Sequence, residues 1–264
     1  MKIQFTKMHG LGNDFVMING IHQKISLTPE QRRFLANRHL GVGCDSILLV
    51  ETPKSPGVDF NYRIFNADGN EVEQCGNGAR CLAQFVLEQG LTDKKHIRVE
   101  TLTHTLSLQM LEDGRITVAM GVPEMAAYYD IAIDTQLLKI GAVSMGNPHC
   151  TLVVDNVDAA QVTQLAPRIQ ASGYFPQGVN VGFMQVVDRR RIRLRVYERG
   201  IGETLACGSG ACAAVAIGIQ QDLLDHQVVV ELAGGSLDIA WEGAASMVMM
   251  TGPAQKVFEG WVDL

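Results

Sequence analysis

The stretch Cys75-Gly-Asn-Gly-Ala-Arg-Cys81 decides the fold, because the chain repeats its pattern as Cys207-Gly-Ser-Gly-Ala-Cys212. In both copies a cysteine precedes a Gly-x-Gly-Ala run, and an apolar segment of helical length follows. A cysteine at this place caps a helix whose first backbone N–H groups have no acceptor within the helix. The positive end of the helix dipole favours a thiolate there, and the free N–H groups can hold an anion.

Other landmarks repeat at nearly the same offset, about 130 residues. The matching pairs are Gly12-Asn13 with Gly146-Asn147, Phe65-Asn66 with Tyr197-Glu198, and Gly121 with Gly252. Several landmarks at one offset indicate an internal duplication. Since each half contains strand-like segments around one cysteine-capped helix, the sequence predicts two halves of similar fold.

The fold class predicted is α+β, with two pseudo-symmetric domains covering residues 1–118 and 119–264. The segment 208–219 is apolar nearly all round, which is typical of a helix surrounded by protein. We therefore expect each half to wrap a curved mixed or antiparallel sheet around its central helix. The last ~10 residues could pack on the N-terminal half rather than on their own, since chain termini often lie close together. If a pseudo-twofold axis relates the halves, both cysteine-capped ends meet at the cleft between them.

Local patterns add three expectations. Thr28-Pro29-Glu30-Gln31 has an N-cap, a proline at the first helical position and a capping-box glutamine, and predicts a helix to about Arg38. The segment from Asp158 to about Ser172 is expected to be helical, with Pro167 bending or ending the helix. Residues 121–143 show poor periodicity, although the pattern allows a strand near 129–133.

Composition restricts the classes of function. Of the 264 residues 47% are hydrophobic, and the net charge is −6. An acidic chain argues against a nucleic-acid partner. The basic residues cluster only at 189–191, followed by Arg193 and Arg195, which alternate with apolar residues and are interpreted as one solvated face of a strand. No apolar run approaches the roughly 18 residues of a membrane span, and the N-terminus lacks the apolar core of a signal peptide. A cytoplasmic location with reduced thiols follows as the expectation.

Two opposed cysteines suit the inversion of a stereocentre. One thiolate removes a proton from one face of the carbon, and one thiol supplies a proton to the other face. The carbanion between these steps needs electrostatic stabilisation, which two helix N-termini provide through the backbone N–H groups of Gly76, Asn77, Gly208 and Ser209. The chain shows no nucleotide or metal motif. Pyridoxal phosphate has no reliable short signature and is not excluded by this, but the thiol pair makes it unnecessary, so we expect no cofactor and no metal.

Several motifs resemble one family closely, and together they span nearly the whole chain. They are His9-Gly-Leu-Gly-Asn-Asp-Phe15, Phe65-Asn-Ala-Asp-Gly69, Gln74-Cys-Gly-Asn-Gly-Ala-Arg80, Gly146-Asn-Pro-His149, and Tyr197-Glu-Arg-Gly200 continuing to Cys207-Gly-Ser-Gly-Ala211. This pattern is similar to that of the diaminopimelate epimerases. The resemblance implies cofactor-independent interconversion of LL- and meso-2,6-diaminopimelate, in lysine and peptidoglycan-precursor synthesis. It also implies a pair of similar domains and a homodimer.

The resemblance further implies roles for individual residues. Cys75 and Cys207 are expected to transfer the protons, with His149 and Glu198 tuning their protonation. Residues expected to line the substrate site are Asn13, Ser46, Asn66, Gly76, Asn77, Asn147, Asn180, Glu198, Arg199, Gly208 and Ser209. Arg199 is suited to the distal carboxylate of the substrate and Glu198 to its distal ammonium. The chain differs from the family pattern at Cys44-Asp45-Ser46, where a glutamine is replaced by Ser46.

Alternatives remain at this point. Within the same fold, a proline-racemase-like enzyme also opposes two cysteines, but it acts on an amino acid with one carboxylate. A thiol-based redox or metal-binding protein is a different class of function. Asn13 and Asn147 could merely shape turns, and His149 could bond to local backbone. The remaining cysteines are interpreted as buried hydrophobic residues: Cys44, Cys81, Cys150 and Cys212.

Overall fold

The computed structural model describes residues 1–72, 76–133 and 135–264. The chain divides into two compact units, here called unit 1 and unit 2. Unit 1 comprises Met1–Val118 together with Gly252–Leu264, and unit 2 comprises Ala119–Thr251. Each unit has its own sheet and its own central helix, so each is described separately.

The helices and strands fall in two consecutive parts of the chain. The first part contains β1 (Lys2–Gly10), β2 (Asn13–Asn19), α1 (Pro29–Ala36), β3 (Ser46–Glu51), β4 (Phe60–Asn66), β5 (Glu71–Val72), α2 (Gly76–Glu88), β6 (His96–Glu100), β7 (Thr105–Met110) and β8 (Ile116–Ala119). The second contains β9 (Glu124–Ile133), β10 (Gln136–Ser144), β11 (Pro148–Val153), α3 (Val162–Ala171), β12 (Asn180–Asp188), β13 (Arg191–Glu198), β14 (Gly202–Thr204), α4 (Gly208–Gln220), β15 (Gln227–Leu232), β16 (Gly235–Ala240), β17 (Met249–Gly252) and β18 (Gln255–Asp263). The order of helices and strands from β1 to β8 recurs from β10 to β17, with β9 before the second copy and β18 after it.

The sheet of unit 1 has the strand order β18-β1-β2-β3-β4-β6-β7-β8. The β2–β3 and β4–β6 pairs are parallel, and the other neighbours are antiparallel. The short strand β5 pairs with the C-terminal part of β4, where Ile64 lies opposite Val72. A parallel pair needs a crossover connection, and α1 and α2 lie in these two crossovers.

The sheet of unit 2 has the order β9-β10-β11-β12-β13-β15-β16-β17, and it repeats this pattern. Its parallel pairs are β11–β12 and β13–β15, with α3 and α4 in the crossovers. The short strand β14 pairs with the C-terminal part of β13, as β5 does with β4. Strand by strand the two units have the same topology, which confirms the internal duplication and the α+β class.

The central helices α2 and α4 contact strands from both ends of their own sheets. α2 packs on β1, β2, β3 and β7, and α4 packs on β10 to β13 and on β16. Contact with distant strands of one sheet requires the sheet to curve around the helix, as the sequence predicted. In α4 the run Ala211–Gly218 is entirely buried, and this burial accounts for its lack of a polar face.

The smaller helices α1 and α3 cover each sheet from its other side. Leu35 and Ala36 of α1 join a buried cluster with residues of β1 to β3, including Ile3 and Ile47. α3 closes a corresponding cluster in unit 2. Each unit therefore has three layers, with an apolar core on both faces of its sheet.

The local expectations were incomplete at two places and confirmed at a third. Residues 121–143 contain the strand expected near 129–133 as part of a longer β9, which forms a long antiparallel hairpin with β10. Its pattern is obscured because large apolar side chains such as Tyr128 and Leu137 are exposed. Pro167 does not end α3, which continues to Ala171. At α1, Thr28 accepts a hydrogen bond from the Gln31 N–H in the expected capping box.

Candidate functional site

Cys207 is the N-cap residue of α4, and only 4% of its surface is exposed to solvent. Its Sγ lies 3.7 Å from the Ser209 hydroxyl oxygen. Burial raises the pKa of Cys207 well above its ordinary value, and the Glu198 carboxylate raises it further, by its charge and through a hydrogen bond. The Gly210 N–H and the Ser209 hydroxyl act in the opposite direction. In the ligand-free protein Cys207 is therefore a neutral thiol at physiological pH.

Glu198 reaches this thiol from the last position of β13. The Thr204 hydroxyl donates a hydrogen bond to Glu198 Oε1 at 2.6 Å. Glu198, Cys207 and Ser209 were predicted as site residues, and the structure brings them together within unit 2. Thr204 was not predicted, because the segment before Cys207 reads as a turn and its pairing with β13 gives no sequence signal.

Arg199 follows Glu198 in sequence but has different partners. Its backbone N–H donates to Asn180 Oδ1 at 2.9 Å, and its guanidinium donates to the carbonyl oxygen of Gln177. Gly178 has a φ of +74°, and a side chain there would clash with Cδ of Arg199. The segment 177–180 thus supports Arg199, and Gln177 and Gly178 are contacts that the sequence analysis missed.

His149 is buried at the start of β11, with Asn180 as its register partner on β12. Its Nε2 lies 2.9 Å from Asn147 Oδ1. Because an amide oxygen only accepts, Nε2 carries the ring proton and donates a hydrogen bond to Asn147 Oδ1. Burial lowers the pKa of His149 to about 3, and the nearby charge of Arg199 contributes to the decrease. At neutral pH the imidazole is therefore uncharged.

His149 should make the folded state sensitive to acid. Its pKa of about 3 in the folded protein lies below the ordinary 6.5, so between these values the unfolded chain binds a proton that the folded chain does not. Stability is thus complete above about pH 6.5 and falls with decreasing pH, by on the order of 1 kcal/mol per pH unit. We expect His149→Gln to reduce the loss in unfolding free energy between pH 7 and pH 5, measured by urea denaturation.

The exposed His96 on β6 provides the control for this experiment. His96→Gln should retain the acid sensitivity of the wild type. Equal pH dependence in His149→Gln and the wild type would contradict a neutral buried imidazole in the folded state.

In unit 1, Asn13 and Asn77 form one pair of predicted residues. Asn77 Nδ2 donates to Asn13 Oδ1 at 3.3 Å, and Asn13 Nδ2 donates to Asp45 Oδ2 at 2.7 Å. Asn13 begins β2, whereas Asn77 lies in the first turn of α2 directly after Gly76. The β1–β2 turn and the start of α2 are thereby connected through side chains.

Asp45 belongs to a charged network that the sequence analysis also missed. Arg38 bridges Asp14 and Asp45 at 2.7 Å to each, and Lys7 contacts Asp14 at 2.6 Å. Burial raises the pKa of Asp14, but hydrogen bonds from Arg38 and Lys7 outweigh this and hold it well below its usual range. The network fixes Asp45, and Asp45 in turn orients Asn13.

Ser46 and Asn66 form the second pair in unit 1. They lie opposite one another on β3 and β4, and the Ser46 hydroxyl donates to Asn66 Oδ1 at 3.3 Å. Ser46 is buried, so its short side chain supports Asn66 from within the sheet. This bond leaves the two N–H donors of the Asn66 amide for other partners.

The predicted residues occupy equivalent places in both repeats. Asn13, Ser46 and Asn66 lie at strand ends that correspond to those of Asn147, Asn180 and Glu198, and Gly76 corresponds to Gly208. Cys75 lies outside the described residues, so its role stays a prediction. The described cysteines carry free thiols, and all are buried: Cys44, Cys81, Cys150, Cys207 and Cys212.

Across residues 1–72, 76–133 and 135–264, no group of three or more His, Cys, Asp or Glu side chains is arranged to hold a metal ion. Every helix in this part of the chain is too short or too polar to span a bilayer.

Comparison with known proteins identifies close relatives. The family model described as diaminopimelate epimerase matches residues 5–126 and 141–257. The chain is 58% identical over 278 residues to the diaminopimelate epimerase of Thioalkalivibrio sulfidiphilus, covering 100% of both chains. It is 56% identical over 283 residues to that of Cupriavidus taiwanensis, covering 100% of this chain and 98% of the relative.

Solved structures of more distant proteins share the fold. A PhzF-family phenazine biosynthesis protein of Bacillus anthracis superposes with a TM-score of 0.75 at 19% identity, over 100% of both chains. A probable proline racemase of Agrobacterium radiobacter gives a TM-score of 0.76 at 16% identity, over 99% of this chain and 93% of the other. At these identities the similarity shows the fold alone.

Proposed function

Because the chain belongs to the diaminopimelate epimerase family, we propose that it interconverts LL- and meso-2,6-diaminopimelate. The observation that carries the proposal is the Cys207 thiol, which lies at the start of α4 beside Ser209 and Glu198. A thiol in this place can deliver a proton to a carbon whose carboxylate is bound by the helix N-terminus.

In the proposed reaction Cys75 and Cys207 act on opposite faces of the α-carbon. Cys75, as thiolate, removes the α-proton from one face, and the Cys207 thiol delivers its own proton to the other face. The C–H electron pair stays on the substrate as a carbanion until the new C–H bond forms. The raised pKa of Cys207 supports its part, since it enters the reaction as a thiol. The reverse direction exchanges the two roles.

The carbanion has to be stabilised at the carboxylate next to it. The first turn of α4 has backbone N–H groups at Gly208 and Ser209 that lack an acceptor within the helix, because helical bonding begins with Ala211 N–H to the Cys207 carbonyl. Gly76 and Asn77 take the equivalent place at α2. We assign both pairs to the reacting carboxylate, where N–H donors and the positive end of the helix dipole stabilise the charge that develops. No cofactor is required for this step.

The second amino-acid head group of the substrate needs its own contacts. Arg199 is assigned to the distal carboxylate, with its backbone fixed by Asn180. Glu198 contacts Cys207, so its charge is suited both to the substrate ammonium and to the protonation of the thiol. The amides of Asn13, Asn66 and Asn147 supply donors and acceptors to the remaining polar groups. His149, neutral and hydrogen-bonded to Asn147, orients that amide and has no charge of its own.

The wider setting follows from the same assignment. We place the enzyme in the cytoplasm, in lysine and peptidoglycan-precursor synthesis, and we expect it to act as a homodimer. Nucleic acid and membrane are not expected as partners, given the net charge of −6.

The decisive experiment incubates the purified protein with LL-diaminopimelate in D₂O. We expect meso-diaminopimelate to form, and each newly formed α-centre should carry deuterium because its hydrogen comes from an exchangeable thiol. Chiral chromatography with mass spectrometry measures both quantities. L-Proline is the parallel substrate and should show neither exchange nor inversion.

The result would contradict the proposal if diaminopimelate kept its configuration and its α-hydrogen. Inversion of proline with no reaction of diaminopimelate would favour a proline-racemase-like enzyme. Stoichiometric zinc after purification without chelators, or activity that requires a disulfide between Cys75 and Cys207, would indicate the metal-binding or redox class.

A further inference from the structure

Thr204 makes a short hydrogen bond to a side chain of the proposed site. Its hydroxyl lies 2.6 Å from Glu198 Oε1, and both residues are partly buried. An ionised carboxylate only accepts, so the hydroxyl is the donor and its proton lies in this bond. Such charge-assisted bonds are shorter and stronger than bonds between neutral groups.

The strand register explains why these two side chains meet. Thr204 on β14 lies opposite Val196 of β13, and Glu198 lies opposite Gly202. Val196 and Glu198 are two positions apart on one strand, so their side chains share a face of the sheet. Thr204 is therefore the diagonal cross-strand neighbour of Glu198, and Gly202 presents no side chain that competes for the place.

The adjacent residue of the same hairpin has a separate function. Glu203 forms a bidentate ion pair with Arg195, at 2.6 and 3.0 Å. This pair holds β14 against β13 without using Thr204 or Glu198. The β13–β14 hairpin therefore has two separate contacts. The Arg195–Glu203 pair joins its strands, and the Thr204 hydroxyl binds the Glu198 carboxylate beside Cys207.

We propose that Thr204 is a positioning residue, which holds the Glu198 carboxylate against the Cys207 thiol. A glutamate side chain has several rotatable bonds and loses its preferred place when no donor fixes it. Around Cys207, β13 contributes the Glu198 carboxylate, β14 the Thr204 hydroxyl, and α4 the Ser209 hydroxyl. The inference rests on the proposed function, because it assumes that Cys207 is the proton-transfer group.

Thr204→Val is the informative variant, since it keeps the shape of threonine and removes the donor. We expect kcat for diaminopimelate to fall on the order of tenfold, because the Glu198 carboxylate beside the reacting thiol is no longer held in place. KM should rise by less than kcat falls, because Arg199 and the helix N-termini still bind the two carboxylates of the substrate. Thr204→Ser keeps a hydroxyl and should recover most of the rate. Glu203→Gln is the matched control, since it weakens the neighbouring ion pair, and its kcat should stay near the wild-type value.

A second readout needs no substrate. Alkylation of Cys207 by iodoacetamide, followed by peptide mass spectrometry across a range of pH, reports the fraction of thiolate. Once Glu198 is no longer held beside the thiol, the midpoint of this profile should move to lower pH, on the order of one unit in Thr204→Val. Glu198→Gln should shift the midpoint in the same direction, and adding Thr204→Val to it should cause no further shift.

The outcomes separate the two inferences. If the wild type fails to epimerise diaminopimelate, the proposed function is wrong, while the alkylation profiles still test the contact among Thr204, Glu198 and Cys207. An unchanged profile in Thr204→Val, or the same kinetic loss in Glu203→Gln, would overturn the positioning role. Thr204→Ala provides a second removal of the donor if the valine variant is poorly folded by circular dichroism.

Discussion

Cys207→Ala and Cys75→Ala are each expected to lower the rate of epimerisation by at least ~10³-fold, because each removes the proton-transfer group for one face of the α-carbon. Neither substitution should unfold the protein, since each removes one sulfur atom and adds no polar group. Chiral analysis of the product from LL-diaminopimelate gives the rate, and circular dichroism checks the fold.

Matched controls remove a buried sulfur elsewhere on the same helices. Cys212→Ala lies in α4 and Cys81→Ala in α2, and both side chains are fully buried. We expect these variants to keep most of the activity and to lose stability only modestly, as small cavities do. Substantial turnover in either Cys75→Ala or Cys207→Ala would contradict the two-base mechanism.

Isotope exchange makes the same prediction specific for each face. In D₂O, a variant with one cysteine can still remove a proton from the face it serves, exchange that thiol proton with solvent and return a deuteron to the same face. Each alanine variant should therefore exchange the α-hydrogen of only one configuration, and the two variants should differ in which one. Exchange of both configurations by a single-cysteine variant would mean that another group serves as the second base.

The order of helices and strands, the duplication and the central helices could be predicted from the sequence. Thr28-Pro29 and the Gly-x-Gly-Ala runs at 76–79 and 208–211 are local signals, and the helices that begin there follow from local rules. The β9–β10 hairpin could not be predicted, because large apolar side chains are exposed on both of its faces: Tyr128 and Leu137 on one, Tyr129 on the other. A periodicity argument needs one polar face, and this hairpin lacks it.

The candidate site was predictable only in part, for a different reason. The strand ends at Asn13, Asn66 and Glu198 could be recognised because similar residues recur about 130 positions apart, and such a repeat is visible in the sequence alone. Contacts such as Asp45 with Asn13 and Thr204 with Glu198 depend on strand register and on side-chain geometry. Neither contact has a spacing that recurs in the sequence, so only the folded structure could reveal them.

Arg199→Ala is expected to raise KM for diaminopimelate on the order of 100-fold, with a smaller decrease in kcat. A guanidinium can donate two parallel hydrogen bonds to a carboxylate, and charged hydrogen bonds contribute ~1.5–3 kcal/mol each. Arg199→Lys should recover only part of the affinity, because an ammonium lacks the planar fork. Steady-state kinetics with chiral detection measure both constants.

A control for this variant comes from the same strand, and a second comes from the substrate. Arg193 on β13 pairs with Asp158 at 2.8 Å, so Arg193→Ala removes a positive charge from β13 without touching Arg199 or its partners. Its KM should stay near that of the wild type.

L-Lysine lacks the distal carboxylate, so any slow α-hydrogen exchange that the wild type catalyses on it should be unaffected by Arg199→Ala. If Arg199→Ala slowed both substrates equally, Arg199 would serve the reacting head group, and the discrimination against amino acids with one carboxylate would need a different residue.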